Sequence, residues 1–173
     1  MCEQLDSDVL RDAELYFGYG SNMSESRLSA RGVEIRKRVL ATLDDYEMTF
    51  SKKSRDPAWS GVGYCNINPK PNAKVYGILS VCECGALKRL DVYEGVAEGE
   101  YKRAAVHVTV QPSGQVVEAI AYVALDDYVS GGLKPSRDYL NHCLGGRDLL
   151  PDHYVKRLES FEADAWTFNA AHP

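Results

Sequence analysis

A short turn near the start of the chain, Tyr19-Gly20-Ser21-Asn22, carries the first residues whose types and order could do chemistry. It follows an aromatic, strand-like run and precedes a helical pattern. Asn22 can cap that helix, and Glu25, three residues on, can complete a capping box. Backbone N–H groups that open a helix have no partner within it, so they attract anions. The turn is therefore expected to hold a negatively charged group or a developing oxyanion.

A second candidate for chemistry is the carboxyl group of Glu94. The spacing of Leu87, Leu90 and Glu94 places all three on one face of a helix, and that face should pack inward. Gly95 then ends the helix. Burial and the negative end of the helix dipole would both raise the pKa of Glu94, which suits a general acid or base. The segment alone leaves open the alternative that Glu94 lies past the helix end and turns to solvent.

Other charged groups near these two segments are expected to be solvated. Asp91 lies off the apolar helix face, and Glu98 and Glu100 lie in a loop that contains glycine. Residues 52–55 carry a small basic cluster, which we interpret as part of a solvated loop. The alternative is that this cluster recognises a carboxylate-bearing ligand.

Length and composition predict an ordinary globular protein. The 173 residues, 45% hydrophobic and 26% charged, fit a single domain over 1–173 with a loose N-terminal extension over 1–14. A net charge of −5 argues against nucleic acid as a partner. No apolar run approaches the ~20 residues of a membrane span, and the first residues do not resemble a signal peptide. We therefore expect a cytosolic protein with no membrane partner.

Cysteine usage predicts free thiols and no metal centre. The chain has five cysteines, an odd number, and a cytosolic location disfavours disulfides. Cys82 and Cys84 form a C-x-C pair, but no nearby histidine or cysteine completes a zinc site. No metal ligand is therefore assigned.

The pattern along the chain predicts many short strands and a few short helices. Residues 51–61 are expected to form a loop and residues 69–72 a turn. Strands are predicted at 15–19, 35–50 (as one or two strands), 62–67, 75–82, 103–110 and 116–125. Helices are predicted at 23–30, 86–93, 137–143 and 152–163. This mixture favours an α+β fold, and a barrel is one natural way to bury so many strands.

Taken together, the segments resemble the γ-glutamylcyclotransferases. Tyr-Gly-Ser-Asn at 19–22 and Leu-Asp-x-x-Glu-Gly-Val at 90–96 are similar to the two principal motifs of that family. Val-Tyr-Gly-Ile-Leu at 75–79 resembles its central strand. Pro-Ser-Arg-Asp-Tyr at 135–139 and Leu-Pro-Asp-His-Tyr at 150–154 resemble two later segments. Each motif alone is weak, but five in order over most of the chain make a specific signal.

The resemblance implies a fold and a reaction. The fold would be a small mixed β-barrel with flanking α-helices, in a homodimer that uses no cofactor. The reaction would be cleavage of a small-molecule γ-glutamyl amide by its own α-amine, which gives 5-oxoproline and a free amine or amino acid. One alternative is a biosynthetic enzyme that removes a γ-glutamyl cap from a larger amine. Another, from a different class, is a ligand-binding module of the same fold without catalysis.

The resemblance also implies roles for particular residues. Glu94 would be the general acid/base, and backbone N–H groups of residues 19–22 would hold the substrate's α-carboxylate or help to stabilise the oxyanion. Tyr139 would lie on a loop that covers the site, and Tyr101 would be a nearby pocket residue. The chain departs from the family pattern around residues 82–85 and at Tyr93, which leaves the leaving group open.

Overall fold

Five strands close into a barrel in the computed structural model, which describes residues 5–163. The strands are β1 (Glu14–Gly18), β2 (Ile35–Lys53), β3 (Gly63–Cys82), β4 (Tyr101–Val110) and β5 (Val116–Ala124). Their order is β1-β3-β2-β4-β5. β1 closes the barrel by pairing parallel with β5, while the other neighbours are antiparallel. The predicted α+β fold with a small mixed barrel is confirmed.

Short helices flank this barrel, and they carry several of the candidate residues. They are α1 (Ser7–Leu10), α2 (Glu25–Ala30), α3 (Ala86–Tyr93), α4 (Arg137–Cys143) and α5 (Asp152–Glu159). Four 3₁₀ turns lie at Ser21–Met23, Pro57–Trp59, Asp126–Tyr128 and Leu144–Gly146. None of the helices in residues 5–163 is long and apolar enough to cross a bilayer.

The strands β2 and β3 form one long hairpin, which the sequence pattern did not predict. The turn expected at 69–72 is instead part of β3, and Pro69 pairs with Tyr46. In this stretch β3 pairs with β2 alone, and an edge strand of this kind is where a sheet tolerates a proline. β2 also continues to Lys53, which shortens the predicted loop at 51–61.

A glycine in β3 lets two strands approach closely inside the barrel. A Cβ atom at Gly77 would lie 2.6 Å from the carbonyl oxygen of Gly18 and 2.6 Å from the ring of Phe17. Phe17 is fully buried, so its ring fills the space beside the glycine. The close approach of the Gly18 backbone and the Phe17 ring therefore requires a glycine at position 77.

The two ends of the described chain pack differently from the prediction. Leu5 is 4% exposed, and its N–H donates to Oε1 of Gln115 at 3.1 Å. The expectation of a loose extension over 1–14 is therefore wrong from Leu5 onward, because this apolar side chain is anchored, while residues 1–4 lie outside the described residues. α5 ends at Glu159 rather than 163 because the chain turns back and Phe161 packs on Phe50, with ring centroids 4.8 Å apart.

Candidate active site

The turn at residues 19–22 leads from the end of β1 into a buried 3₁₀ turn. The N–H of Met23 donates to the carbonyl oxygen of Gly20 at 3.0 Å. The backbone N–H groups of Ser21 and Asn22 form no hydrogen bond with any residue between 5 and 163. Two adjacent donors of this kind are an anion-binding arrangement.

The predicted capping box at this turn is wrong. The residue that caps α2 is Ser24, whose Oγ accepts the N–H of Arg27 at 3.3 Å. The 3₁₀ turn lies between the end of β1 and α2, so the helix begins two residues later than Asn22 would require. Glu25 instead lies on the surface, where it pairs with Arg38.

The side chain of Asn22 is turned inward and connects three groups. Its Nδ2 donates to the hydroxyl oxygen of Tyr16 at 2.9 Å and to Oε1 of Glu94 at 2.9 Å. Its Oδ1 accepts from Nη1 of Arg31 at 2.9 Å. Asn22 therefore joins the turn to the acidic residue that the sequence singled out 72 positions later.

Glu94 faces inward at the end of α3, as the helix periodicity predicts. It is the C-cap residue, and Gly95 follows with φ of +61°. The Glu94 side chain is 15% exposed. Oε1 accepts from Asn22 at 2.9 Å and from Nη1 of Arg31 at 3.0 Å. Oε2 has no hydrogen-bond partner in residues 5–163, so one oxygen is anchored and the other is available.

The surroundings of Glu94 act on its pKa in opposite directions. Burial raises the pKa because the charged form loses its hydration. The charge of Arg31 and the hydrogen bonds from Asn22 and Arg31 lower it, and burial prevails. A carboxyl group with a raised pKa can both accept and return a proton nearer to neutral pH than an ordinary glutamate can.

The three predicted tyrosines surround the space beside Glu94, and their hydroxyl groups form different hydrogen bonds. Tyr101 donates to the carbonyl oxygen of Cys65 at 2.7 Å, and Tyr19 donates to the carbonyl oxygen of Tyr122. The hydroxyl of Tyr139 instead accepts the N–H of Cys65 at 3.0 Å. Within the described residues its proton is not used, so Tyr139 can donate a hydrogen bond to a ligand. Burial raises the pKa of all three phenols, which keeps them neutral.

Tyr139 is not on a covering loop, which corrects that expectation. It belongs to α4, and its N–H donates to the N-cap side chain of Ser136 at 3.1 Å. Its ring packs edge-on against Tyr64, with centroids 4.9 Å apart, and against Phe50 at 6.4 Å. A helix forms here because a capping serine precedes the run, as the pattern at 137–143 predicts.

All seven residues singled out from the sequence line one small cavity of about 30 Å³, which we call the inner cavity. Its walls also include three residues that the sequence did not single out. The full lining is Tyr16, Tyr19, Gly20, Ser21, Asn22, Cys65, Glu94, Tyr101, Tyr122 and Tyr139. The arrangement places backbone donors, a carboxylate of raised pKa and neutral hydroxyls around a shared space.

Known proteins share both the sequence and the fold of this chain. Residues 74–158 match the AIG2-like family. A γ-glutamylcyclotransferase of Bos taurus is 32% identical over 167 residues, which span 93% of this chain and 85% of that protein. The chain belongs to the γ-glutamylcyclotransferase family. The human γ-glutamylcyclotransferase is 30% identical over 157 residues, which span 88% of this chain and 81% of the human protein.

The fold agrees with this family membership. A solved γ-glutamyl cyclotransferase structure superposes with a TM-score of 0.77 at 28% identity. The superposition covers 90% of this chain and 91% of the other. The barrel and the helices that carry the site are therefore those of the γ-glutamylcyclotransferase family.

Sequence reasoning missed two arginines on the helix that follows the family's turn motif. Arg27 lies on α2 and Arg31 is its C-cap residue, so the i, i+4 spacing places both on one face. Arg31 contacts Glu94, and its guanidinium also lies over the ring of Tyr93, 4.7 Å from the centroid. The spacing of the two arginines directly after the Tyr-Gly-Ser-Asn turn was the signal that could have revealed them.

A second cavity of about 220 Å³ adjoins the inner one, and we call it the outer cavity. The two share four lining residues, namely Ser21, Glu94, Tyr101 and Tyr139. The remaining walls of the outer cavity are Arg27, Arg31, Lys52, Ser54, Tyr64, Tyr93 and Glu100. Glu94 thus stands at the boundary between the two spaces.

One wall of the outer cavity contains a buried ion pair that the sequence did not predict. The Lys52 side chain is 7% exposed and contacts Glu100, which is 15% exposed. The rings of Tyr64, Tyr101 and Tyr128 lie 5.2 to 5.5 Å from the Lys52 ammonium. The expectation that both charges face solvent is wrong, because β2 continues through Lys52 and its alternation turns this side chain inward.

Asp91 also differs from the expectation of a solvated residue. Its carboxylate accepts from Nε and Nη2 of Arg103 at 2.8 and 2.7 Å and from the hydroxyl of Tyr122 at 2.8 Å. These hydrogen bonds, chiefly those from Arg103, lower the pKa of Asp91. Because Tyr122 lines the inner cavity, Asp91 supports that wall from behind.

The four cysteines of the described chain are free, as predicted, and Cys2 lies outside it. The sulfur atoms of Cys65 and Cys143 are 3.8 Å apart and buried. Burial raises the pKa of the Cys82 thiol to about 12, while Cys84 is exposed. Residues 5–163 contain no group of three His, Cys, Asp or Glu side chains placed to hold a metal ion.

Proposed function

We propose that this chain is a γ-glutamylcyclotransferase. It would convert a γ-glutamyl amide into 5-oxoproline and a free amine or amino acid by attack of the substrate's α-amine on its own γ-carbonyl carbon. The observation that carries the proposal is the Glu94 carboxylate, which is largely buried and anchored through Oε1. Its Oε2 and the backbone N–H groups of Ser21 and Asn22 have no hydrogen-bond partner within residues 5–163, and all three residues line the inner cavity. Family membership supports the same reaction.

Glu94 serves as the general acid/base of this reaction. Its Oε2 accepts a proton from the substrate's α-ammonium, because the amine is not a nucleophile while protonated. The amine lone pair then forms the ring C–N bond to the γ-carbon. As the bond from that carbon to the leaving nitrogen breaks, Glu94 returns the proton to the leaving nitrogen. The ring nitrogen then gives its second proton to the ionised Glu94 carboxylate, which passes it to the released amine, so the products are the neutral lactam and an ammonium ion. Both reacting groups belong to one molecule, so holding it folded supplies the proximity.

The turn at 19–22 supplies the positive end of the site. The N–H groups of Ser21 and Asn22 hold the substrate's α-carboxylate or stabilise the oxyanion that forms on the γ-carbonyl oxygen. The hydroxyl of Tyr139 has a proton to donate to the same ligand. The hydroxyls of Tyr19 and Tyr101 already donate to backbone carbonyl oxygens, so these two residues form part of the wall of the inner cavity.

Replacing Glu94 with glutamine tests the proposal because glutamine preserves the shape and one acceptor oxygen. The E94Q variant should lose about 10²- to 10⁴-fold in kcat for release of 5-oxoproline from γ-glutamyl-alanine. Glu98→Gln, a neighbouring exposed glutamate, is the matched control and should retain the wild-type rate. Circular dichroism and thermal unfolding report whether each variant is folded.

Two outcomes would contradict the proposal. A folded E94Q protein with wild-type activity would remove Glu94 from the reaction. Wild-type protein that binds 5-oxoproline or a γ-glutamyl peptide without turnover would instead support a non-catalytic module.

We further propose that the enzyme is a cytosolic homodimer that needs no cofactor. The dimer rests on the family resemblance, and the location rests on the sequence features that predict a cytosolic protein. The cofactor-free chemistry follows from the reaction, since the substrate supplies both reacting groups and Glu94 moves the proton. Sedimentation of the purified protein tests the oligomeric state.

A further inference from the structure

Arg27 is a cation on the wall of the outer cavity, and it has no partner of opposite charge in the part of the chain that the structure describes. Its backbone N–H donates to Ser24, but its Nε is buried and has no hydrogen-bond partner among the same residues. Within residues 5–163, no carboxylate forms an ion pair with it. A buried donor left without an acceptor is unfavourable, so an acceptor is expected from outside the chain.

The neighbouring cations differ from Arg27 in this respect. Arg31 is paired with Glu94 at 3.0 Å, and Lys52 is paired with Glu100. The outer cavity therefore has three cations and two carboxylates among its lining residues, an excess of one positive charge. Such an excess in a partly enclosed cavity attracts an anion.

The proposed reaction determines which part of a substrate would occupy the outer cavity. The γ-glutamyl group must lie beside Oε2 of Glu94 and the N–H groups of Ser21 and Asn22, three residues that line the inner cavity. The substituent on the γ-nitrogen then extends past Glu94 into the outer cavity. With the α-ammonium at Glu94 and the α-carboxylate at the N–H groups of Ser21 and Asn22, the carboxylate that remains for the outer cavity is the one on the leaving group.

We infer that Arg27 binds a carboxylate on the leaving group and so selects γ-glutamyl amino acids over uncharged γ-glutamyl amides. The inference rests on the proposed function and specifies its substrate. Guanidinium is suited to this task because its fork of N–H donors matches the two oxygens of a carboxylate. The outer cavity has a volume of about 220 Å³ and is also lined by Tyr64 and Tyr93, so it can take an amino-acid side chain beside that carboxylate.

The experiment compares two substrates that differ only in the leaving group's charge. We would measure kcat/KM for release of 5-oxoproline from γ-glutamyl-alanine and from γ-glutamyl-alaninamide. The wild-type enzyme should prefer the first by about 10- to 100-fold, the usual effect of one charge-assisted hydrogen-bonding group. In Arg27→Gln this ratio should fall toward one, and Arg27→Lys should keep part of it.

Arg89→Gln removes the same charge from the exposed face of α3 and should leave the ratio at its wild-type value. Equal wild-type rates on the two substrates, or an Arg27→Gln loss that is the same on both, would overturn the inference. The proposed function would survive either result, because 5-oxoproline would still be released. If wild-type enzyme released 5-oxoproline from neither substrate, the proposed function itself would fail.

Discussion

Replacing Arg31 with methionine should shift the pH dependence of the reaction without removing the carboxylate of Glu94, the proposed general acid/base. The Nη1 of Arg31 lies 3.0 Å from Oε1 of Glu94, and the two side chains are only 12% and 15% exposed. Water therefore screens the pair weakly. Burial raises the pKa of Glu94, and the charge of Arg31 is the largest influence that lowers it. Without that charge the pKa rises further.

The direction and size of the effect follow from this geometry. A general base must be ionised, so the acid limb of the kcat/KM profile should move to higher pH in Arg31→Met. An opposite charge this close changes a carboxyl pKa by about 1 to 3 units, and each unit is tenfold in the ionised fraction. On the acid side of the profile, kcat/KM should fall by about 10- to 1,000-fold. The loss should shrink as the pH rises, because Glu94 then ionises in both proteins.

The assay is the initial rate of 5-oxoproline release from γ-glutamyl-alanine across the range in which the enzyme stays folded. Methionine keeps an unbranched stem that can still pack on Tyr93. Arg31→Lys is the matched control, since it retains the positive charge and should keep the acid limb near that of the wild type. A folded Arg31→Met enzyme with an unchanged acid limb would refute the reasoning. So would equal losses in Arg31→Met and Arg31→Lys at every pH.

Two further predictions concern stability and can be measured by urea denaturation. Asp91→Asn should lower the free energy of unfolding at pH 7 by about 1 to 2 kcal/mol. This value is smaller than for a fully buried ion pair, because the Arg103 side chain is 39% exposed and water screens the interaction. Folding lowers the pKa of Asp91, so this stabilisation is present at neutral pH and should vanish as the pH falls through the pKa of the folded state. If the difference in unfolding free energy between the wild type and Asp91→Asn stayed constant with pH, the ion pair would not be its source. Gly77→Ala should destabilise by at least about 2 kcal/mol, because its Cβ would lie 2.6 Å from backbone and ring atoms. Gly131→Ala is the control, because a Cβ atom there meets nothing within 4 Å, and it should leave the free energy of unfolding nearly unchanged. Equal losses of unfolding free energy in the two variants would show that close contact at Gly77 is not the cause.

Local patterns in the sequence were sufficient to predict the elements that carry the two principal motifs. The apolar spacing of Leu87 and Leu90 predicted α3 with its observed bounds and placed Glu94 on the inward face. A helix fixes the direction of each side chain relative to its neighbours, so the spacing of the leucines is enough to locate its inward face. The turn at 19–22 was recognised, but its capping partner was not, because an extra 3₁₀ turn shifts the helix start.

Features that depend on pairing between distant strands were not predictable in the same way. Pro69 indicates a turn in isolation, and only the open edge of β3 makes it acceptable in a strand. Lys52 and Glu100 look solvated in sequence because nothing local shows that β2 reaches past residue 50 or that the two charges meet. The inner cavity was therefore predictable from motifs, whereas the outer cavity depends on tertiary contacts.

The backbone of Cys65 fixes the width of the inner cavity. Its N–H and its carbonyl oxygen bind the hydroxyls of Tyr139 and Tyr101, respectively. This one segment of β3 therefore sets the distance between Tyr139 on α4 and Tyr101 on β4. Main-chain atoms are the same for every residue type except proline, so this spacing does not depend on the Cys65 side chain. With the substrate placed as proposed, changes in the outer wall, such as at Lys52 or Tyr64, would alter which amine is released, while the space for the glutamyl end would keep its dimensions.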